Sequence, residues 1–378
     1  MKEIRMVDLH GQYLHIKTEI DQAIQEVIDQ TSFIKGPAVS SFEQELAEYL
    51  GARGVVACAN GTDALQVAMM ALGLEPGDEV ITTPFTFIAT VEVIRLLRLK
   101  PVLADVNRET FNIDPEQLLQ VLTPRTKAIV PVHLFGQCAD MERIMKIAAE
   151  YGLHVIEDTA QATGAEYTFS DGRTVKAGLM GTIGTTSFFP SKNLGCYGDG
   201  GALFSNDQAL LDKLKAIINH GMNRRYYYDL VGVNSRLDTM QAAILRAKLP
   251  RLDQYNRARE EAAEYYNNSL QGIPALKIPF RDPRSTHIYH QYTLQIMDDS
   301  RDELKKYLEH KNIPSMIYYP VGLHLQKAYE DLGYKEGDFP VTEELCRRVL
   351  SLPMHTELDK EQLQYITGSI RDFYNGVV

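Results

Sequence analysis

The sequence predicts an α/β protein: a mostly parallel seven-stranded sheet followed by a smaller C-terminal α+β part. Three observations carry this. Seven short β-rich runs lie between Val55 and Ser205, and the earlier ones are separated by roughly twenty or more residues, the length a crossover helix needs to join parallel strands. After Pro250 the texture changes to a charged helical stretch and then to mixed segments. The length of 378 residues exceeds one ordinary domain. The expected division is therefore a large domain over residues 1–250, including an N-terminal helix, and a small one over residues 251–378.

In chain order, Ile16, Ile20, Ala23, Ile24, Val27 and Ile28 recur at three and four residues, the apolar stripe of an amphipathic helix. The seven strands are expected at 55–58, 79–82, 101–105, 128–132, 153–157, 185–189 and 202–205. Such a sheet, covered on both faces, places ligands at the carboxyl ends of its strands. A helix is expected from Leu252 to Leu270, then mixed segments at 292–297 and 313–318.

Composition narrows the function classes. Hydrophobic residues make up 44% and charged residues 24%, the balance of a globular chain with a sizeable core. Lys plus Arg number 39 against 50 Asp plus Glu, and the net charge of -11 disfavours nucleic acid and anionic lipid as partners. Small-molecule chemistry is the expectation. The four cysteines, Cys58, Cys138, Cys196 and Cys346, lie far apart with no C-x-x-C pair and no histidine at zinc-ligand spacing, so no metal site is expected. No apolar run approaches the ~20 residues of a membrane span, and the N-terminus lacks a signal-peptide core; a cytoplasmic location is expected.

The most informative stretch is Ser187 to Gly201, Ser-Phe-Phe-Pro-Ser-Lys-Asn-Leu-Gly-Cys-Tyr-Gly-Asp-Gly-Gly. Lys192 follows an aromatic pair and precedes Gly195, Gly198, Gly200 and Gly201. Desolvation there lowers the pKa of an amine and makes it a nucleophile toward an aldehyde, whereas a surface lysine in a flexible loop fits the same stretch. The glycines match neither a P-loop, in which the lysine follows them, nor a dinucleotide fingerprint, whose third glycine position is Leu203.

Three further strand ends carry candidates, each with an ordinary alternative. Asn60-Gly61-Thr62-Asp63 opens a helix and suits a phosphate, or is a plain turn capped by Thr62 or Asp63. Ile81 to Thr90 brings Phe85 and Phe87 out of the sheet, to stack on a flat ring or to pack in the core. Glu157-Asp158 ends an apolar strand, where a carboxylate needs a cation such as a protonated pyridine nitrogen, or else caps a following helix. Together, a phosphate cradle, an aromatic plate, an acid and a loop lysine are the parts pyridoxal phosphate requires.

The segments Gly36 to Glu43, Asn60 to Leu65, Glu157 to Gln161, Ser187 to Gly201 and Gly232 to Arg236 resemble, in the same order, the DegT/DnrJ/EryC1/StrS nucleotide-sugar aminotransferases. The resemblance implies a fold type I, aspartate aminotransferase-like enzyme that binds pyridoxal 5'-phosphate and works as a homodimer with shared active sites. It implies that Lys192 carries the cofactor aldehyde and shuttles the proton, that Asp158 faces the pyridine nitrogen and Gln161 the ring hydroxyl, and that Phe87 stacks on the ring. Gly61, Thr62 and Ser187, with Asn234 of a second copy, are the implied phosphate contacts. The family also holds dehydratases with histidine in place of the lysine; Lys192 favours transamination.

L-glutamate is the implied donor. The wording of the Lys192 stretch and of His133 to Asp140 is most similar to enzymes aminating a UDP-linked 3-oxo sugar, in particular UDP-2-acetamido-2-deoxy-3-oxo-D-glucuronate for surface polysaccharides such as lipopolysaccharide O-antigen. Arg224, Arg225 and Arg236 offer cations for a uronate carboxylate, or are solvated and structural. His324 lies in a loop the family places near the sugar, and Tyr318 stands where many relatives have histidine. The alternatives are a dTDP-3-oxo- or 4-oxo-6-deoxyhexose substrate, or a non-catalytic nucleotide-sugar binding protein.

Overall fold

The computed structural model describes residues 2–376. The large sheet is built from β1 (Gly54–Cys58), β2 (Glu79–Thr82), β3 (Lys100–Leu103), β4 (Thr126–Ile129) and β5 (His154–Asp158), then, after the small hairpin β6 (Glu166–Thr168) and β7 (Thr174–Lys176), from β8 (Ile183–Ser187) and β9 (Gly201–Ser205). Their spatial order is β1-β9-β8-β5-β4-β2-β3. Only β9 runs antiparallel to its neighbours, β1 and β8. All seven expected strands are present, with no end shifted by more than three residues.

Strand alternation distributes the core. Val56, Val80, Ala128, Ile156, Ile183 and Leu203 face the helices Gly61–Leu72 and Gln208–Ile217. On the opposite face, Ile81, Val102, Ile129 and Val155 meet the helix Met141–Tyr151, while Val55, Ala57, Ala202 and Phe204 meet the helices Pro37–Leu50 and Thr239–Lys248. Burial on both faces is the arrangement that near-continuous apolar strands require. The N-terminal stripe forms the helix Lys17–Gln30, where Ile16 and Ile20 pack on Ile244 while Ile28 is left exposed.

A two-stranded hairpin, β10 (Met222–Arg224) and β11 (Tyr227–Tyr228), stands out from the body of the chain. The later part forms a three-stranded antiparallel sheet of β12 (Leu276–Lys277), β13 (Tyr292–Ile296) and β14 (Val349–Leu352). Its core joins Leu294 and Leu350 to the helices Leu252–Leu270, Arg301–His310 and Lys360–Tyr374, and Ile4 reaches back into it from the N-terminus. Of the two mixed segments, the first supplies β13, whereas residues 313–318 form an isolated bridge from Met316 to Ser351 of β14. Among the described residues no helix is long and apolar enough to cross a membrane.

Candidate active site

A cavity of about 670 Å³ opens at the carboxyl ends of β1, β5 and β8. Its lining contains Gly61, Thr62, Phe87, Asp158, Gln161, Ser187 and Lys192, which the sequence placed on four separate segments. Asn234, Arg236 and His324 are not among its lining residues. Asn234 is exposed beside the hairpin, bridged to Asn219. His324 is buried, its Nε2 3.0 Å from Glu343 Oε1.

The floor is a helix N-terminus. Asn60, not Thr62 or Asp63, caps the helix Gly61–Leu72: its Oδ1 accepts the Asp63 amide at 2.7 Å. The amides of Gly61 and Thr62 precede the first full turn and have no intrahelical partner, so they and the positive end of the helix dipole face the cavity mouth. Gly61 is there for space: a Cβ on it would sit 2.7 Å from Ser187 Cβ. The neighbouring Ser235 hydroxyl accepts the Ala59 amide at 3.1 Å and ties the 232–236 segment to the same strand end.

Two acids leave β5 side by side and meet opposite fates. Glu157 turns away from the cavity, accepting the amides of Gly178, Met180 and Gly181 and lying 2.9 Å from His133 Nε2. His133 Nδ1 accepts the Ala139 amide, so the ring proton is on Nε2 and points at Glu157. Neither acid caps a helix, because the chain after Asp158 continues as turns. Asp158 is buried on the cavity side, where its oxygens accept the Thr90 hydroxyl at 3.0 Å and the Ala160 amide at 3.1 Å. Burial raises its proton affinity above the usual carboxylate value, and the Lys192 charge pulls the other way. A cation is what this carboxylate lacks.

Lys192 sits in the loop between β8 and β9, half-buried because one side of it faces the cavity. Its amide donates to Phe189 O at 2.8 Å, and Gly195 allows the loop to fold back, since a Cβ there would meet Pro190 O at 2.3 Å. Desolvation brings the ammonium down to about 8, with Asp158 opposing. A measurable fraction is then neutral amine near physiological pH, which a solvated lysine cannot offer.

Phe87 and Phe189 line the cavity with rings 57% and 53% exposed, so neither is spent on core packing, unlike Phe85, which is fully buried. Gln161 is held by two bonds: its Oε1 accepts the Phe135 amide at 2.8 Å and its Nε2 donates to Tyr319 Oη at 3.2 Å. Thr90, Tyr319 and His290 also line the cavity and escaped the sequence analysis. Thr90 follows the Thr-Phe-Ile-Ala run and could have been suspected; nothing local distinguishes Tyr319 or His290.

This donor set fits a phosphorylated pyridine aldehyde. Free amides and hydroxyls converge at the helix terminus, a desolvated carboxylate without a cation stands deeper in the cavity, exposed aromatic faces line the wall, and an amine of lowered pKa is present. Arg224 and Arg225 are remote from this set in their own chain, exposed on the hairpin, with the Arg224 guanidinium 3.5 Å from the Tyr227 ring centre.

Comparison with known proteins agrees with this geometry. A family model described as the DegT/DnrJ/EryC1/StrS aminotransferase family matches residues 14–371. The chain is 46% identical over 373 residues to the "Pleiotropic regulatory protein" of Geobacillus stearothermophilus, covering 98% of each. It is 44% identical over 367 residues to the UDP-2-acetamido-2-deoxy-3-oxo-D-glucuronate aminotransferase of Pseudomonas aeruginosa, covering 97% of this chain and 99% of the relative. Among solved structures, NtdA from Bacillus subtilis with bound cofactor PMP superposes with a TM-score of 0.90 at 30% identity, covering 99% of this chain and 86% of that one. The protein is a pyridoxal phosphate-dependent sugar aminotransferase, and the chain belongs to the DegT/DnrJ/EryC1/StrS aminotransferase family.

Proposed function

We propose that this enzyme moves the amino group of L-glutamate to the 3-oxo carbon of a UDP-linked sugar, UDP-2-acetamido-2-deoxy-3-oxo-D-glucuronate, for a surface polysaccharide. The observation that carries the reading is the pairing of the Lys192 amine, lowered to about 8, with the buried Asp158 carboxylate in one cavity above a helix N-terminus. The named sugar rests on the 44% identity to the Pseudomonas relative.

In this proposal the Gly61 and Thr62 amides with the Thr62 and Ser187 hydroxyls hold the cofactor phosphate, Phe87 covers one ring face and Gln161 meets the ring hydroxyl. Asp158 holds a proton on the ring nitrogen. When bound, the cofactor supplies the electron sink that makes the donor's α-proton removable. Lys192 Nζ would tether the cofactor until the donor's amine displaces it, and the freed neutral amine would then accept that proton and return it as the ammonium. The phenylalanine rings and Tyr319 keep water from the reacting carbon.

The site is completed by a second copy of the chain, with Asn234 of that copy at the phosphate. No arginine lines the cavity within one chain, and the arginines of the second copy, Arg224, Arg225 and Arg236, answer the uronate carboxylate and diphosphate. The chain then acts as a homodimer in the cytoplasm. His324, buried on Glu343, serves the loop that follows Tyr319 and not the sugar directly.

The test is incubation with pyridoxal phosphate, L-glutamate and a panel of keto sugar nucleotides, with the aminated product read by mass. Amination of the UDP-3-oxo uronic acid is expected. Preference for a dTDP-3-oxo-6-deoxyhexose would overturn the sugar and leave the chemistry standing.

A further inference from the structure

His290 is a cavity residue with nothing to do. Its side chain is 6% exposed, it lines the wall that Lys192 lines, and its Nδ1 has no hydrogen-bond partner. Buried polar atoms are nearly always paired, and with Nδ1 enclosed and unpaired, Nε2 is the ring nitrogen left to meet an occupant of the cavity.

The turn that presents this imidazole is fixed from four directions. Tyr289 takes a left-handed φ of 45°, with its ring stacked on His287 at 3.9 Å. Gly136 lets the turn approach, since a Cβ there would lie 2.9 Å from the Tyr289 amide and 3.0 Å from that of His290. The buried Arg259 guanidinium donates to the carbonyls of both Tyr289 and His290, at 3.2 and 3.3 Å. Asn193, the residue after Lys192, donates from Nδ2 to Ile288 O at 3.1 Å, coupling the turn to the lysine loop. Backbone held off its ordinary minima persists where surrounding contacts over-determine it, and here those contacts aim one side chain.

Burial, with the charges of Lys192 and Arg259, keeps the ring neutral. A neutral imidazole carries one N–H. An orphaned acceptor at the enclosed Nδ1 costs less than an orphaned donor, which assigns the proton to Nε2, on the cavity side. The charged groups lining the cavity besides Lys192 are the acids Asp63, Glu92, Asp158 and Asp199, and all of them repel an anion. An α-amino acid whose nitrogen replaces the Lys192 amine brings a carboxylate one carbon away from the reacting bond. We propose that His290 is a specificity-determining residue that receives the α-carboxylate of the amino donor, donating to it from Nε2. The inference rests on the amino-acid donor proposed above and names the group that selects it.

The test compares L-glutamate with 4-aminobutyrate, the same molecule without its α-carboxylate, in the wild type, His290→Phe and His290→Asn, all loaded with cofactor. Cofactor absorbance and thermal midpoint report folding independently of turnover. A hydrogen bond to a charged group is worth about 1.5–3 kcal/mol, or roughly 10–150-fold. His290→Phe is expected to lose that factor in kcat/KM for glutamate while 4-aminobutyrate changes less than about 3-fold, so the discrimination between the donors collapses, and His290→Asn is expected to recover part of it. Glutarate binding to the holoenzyme, read from the His290 ring ¹⁵N resonances, is expected to shift the Nε2 signal. A glutamate to 4-aminobutyrate ratio unchanged in His290→Phe would overturn the assignment of His290 alone. A wild type that takes nitrogen from no amino acid would overturn the donor reading beneath it.

Discussion

Lys192 and Lys248 stand in two regions that look alike by charge and differ in purpose. Burial brings both ammonium groups down to about 8. Lys248 ends the helix Thr239–Lys248 and is 1% exposed; its Nζ donates to Gly195 O at 2.8 Å and lies 4.3 Å from the Tyr197 ring centre. Lys192, in the loop that Lys248 supports from below, faces the cavity and feels Asp158 as its counter-charge. A lowered lysine pKa therefore marks desolvation in both places, and what the amine faces decides whether it is chemistry or scaffolding.

The comparison breaks most sharply at Lys192 itself. Lys192→Ala is expected to lower the rate of amino transfer from glutamate on the order of 10⁴-fold or more, measured by bleaching of the visible cofactor band in a stopped-flow instrument. A variant keeping a tenth of the wild-type rate would remove the distinction between the two lysines. Next in size is Asp158→Asn, which keeps the shape of the side chain and discards its charge. It is expected to bind cofactor and lose about 10²–10³-fold in the same half-reaction, the scale of one preorganised electrostatic contact; a near-normal rate would mean that the buried acid serves only Thr90.

Crowding the phosphate cradle tests the cavity without touching either lysine. Gly61→Val pushes its side chain into Ser187 and is expected to weaken cofactor binding about tenfold or more, at a stability cost of about 1–3 kcal/mol; equilibrium titration and thermal unfolding separate the two effects. Unchanged affinity would argue against that helix terminus as the phosphate site.

The smallest effect on rate is expected at Lys248. Lys248→Met should stay within about 3-fold of the wild-type rate and should change the pH dependence of stability instead. The folded-state pKa of Lys248 lies below its unfolded value, so from about 8 up to the ordinary lysine pKa the unfolded chain binds more protons, and wild-type stability rises with pH. Below about 8 both states are protonated and that slope vanishes. The wild type, measured against Lys248→Met by denaturant unfolding of the cofactor-free protein, is expected to gain on the order of 1–3 kcal/mol across that window. A flat difference would place the proton of Lys248 elsewhere.

Much of this was legible in local pattern. The strands announced themselves because apolar β-branched runs of four or five residues cannot be solvated, and Lys192 because four glycines close behind one lysine are costly unless backbone must pack tightly there. Less legible was the choice between Glu157 and Asp158. Strand alternation puts adjacent side chains on opposite faces, but only the His133 ring and the amides of residues 178–181 show which face is structural. Asn60 was passed over as the cap because Thr62 and Asp63 are equally good caps by type.

The sequence by itself determined the order of strands and helices, the acidic surface balance, the glycine loop around Lys192 and the family motifs, all of which are properties of neighbouring residues. Only the tertiary structure decided that Thr90, Tyr319 and His290 share a cavity with Lys192 and that Lys248 does not. Which distant side chains meet is set by how helices and sheets pack and by which buried polar groups find partners, and those energies belong to the folded whole rather than to any window of the chain.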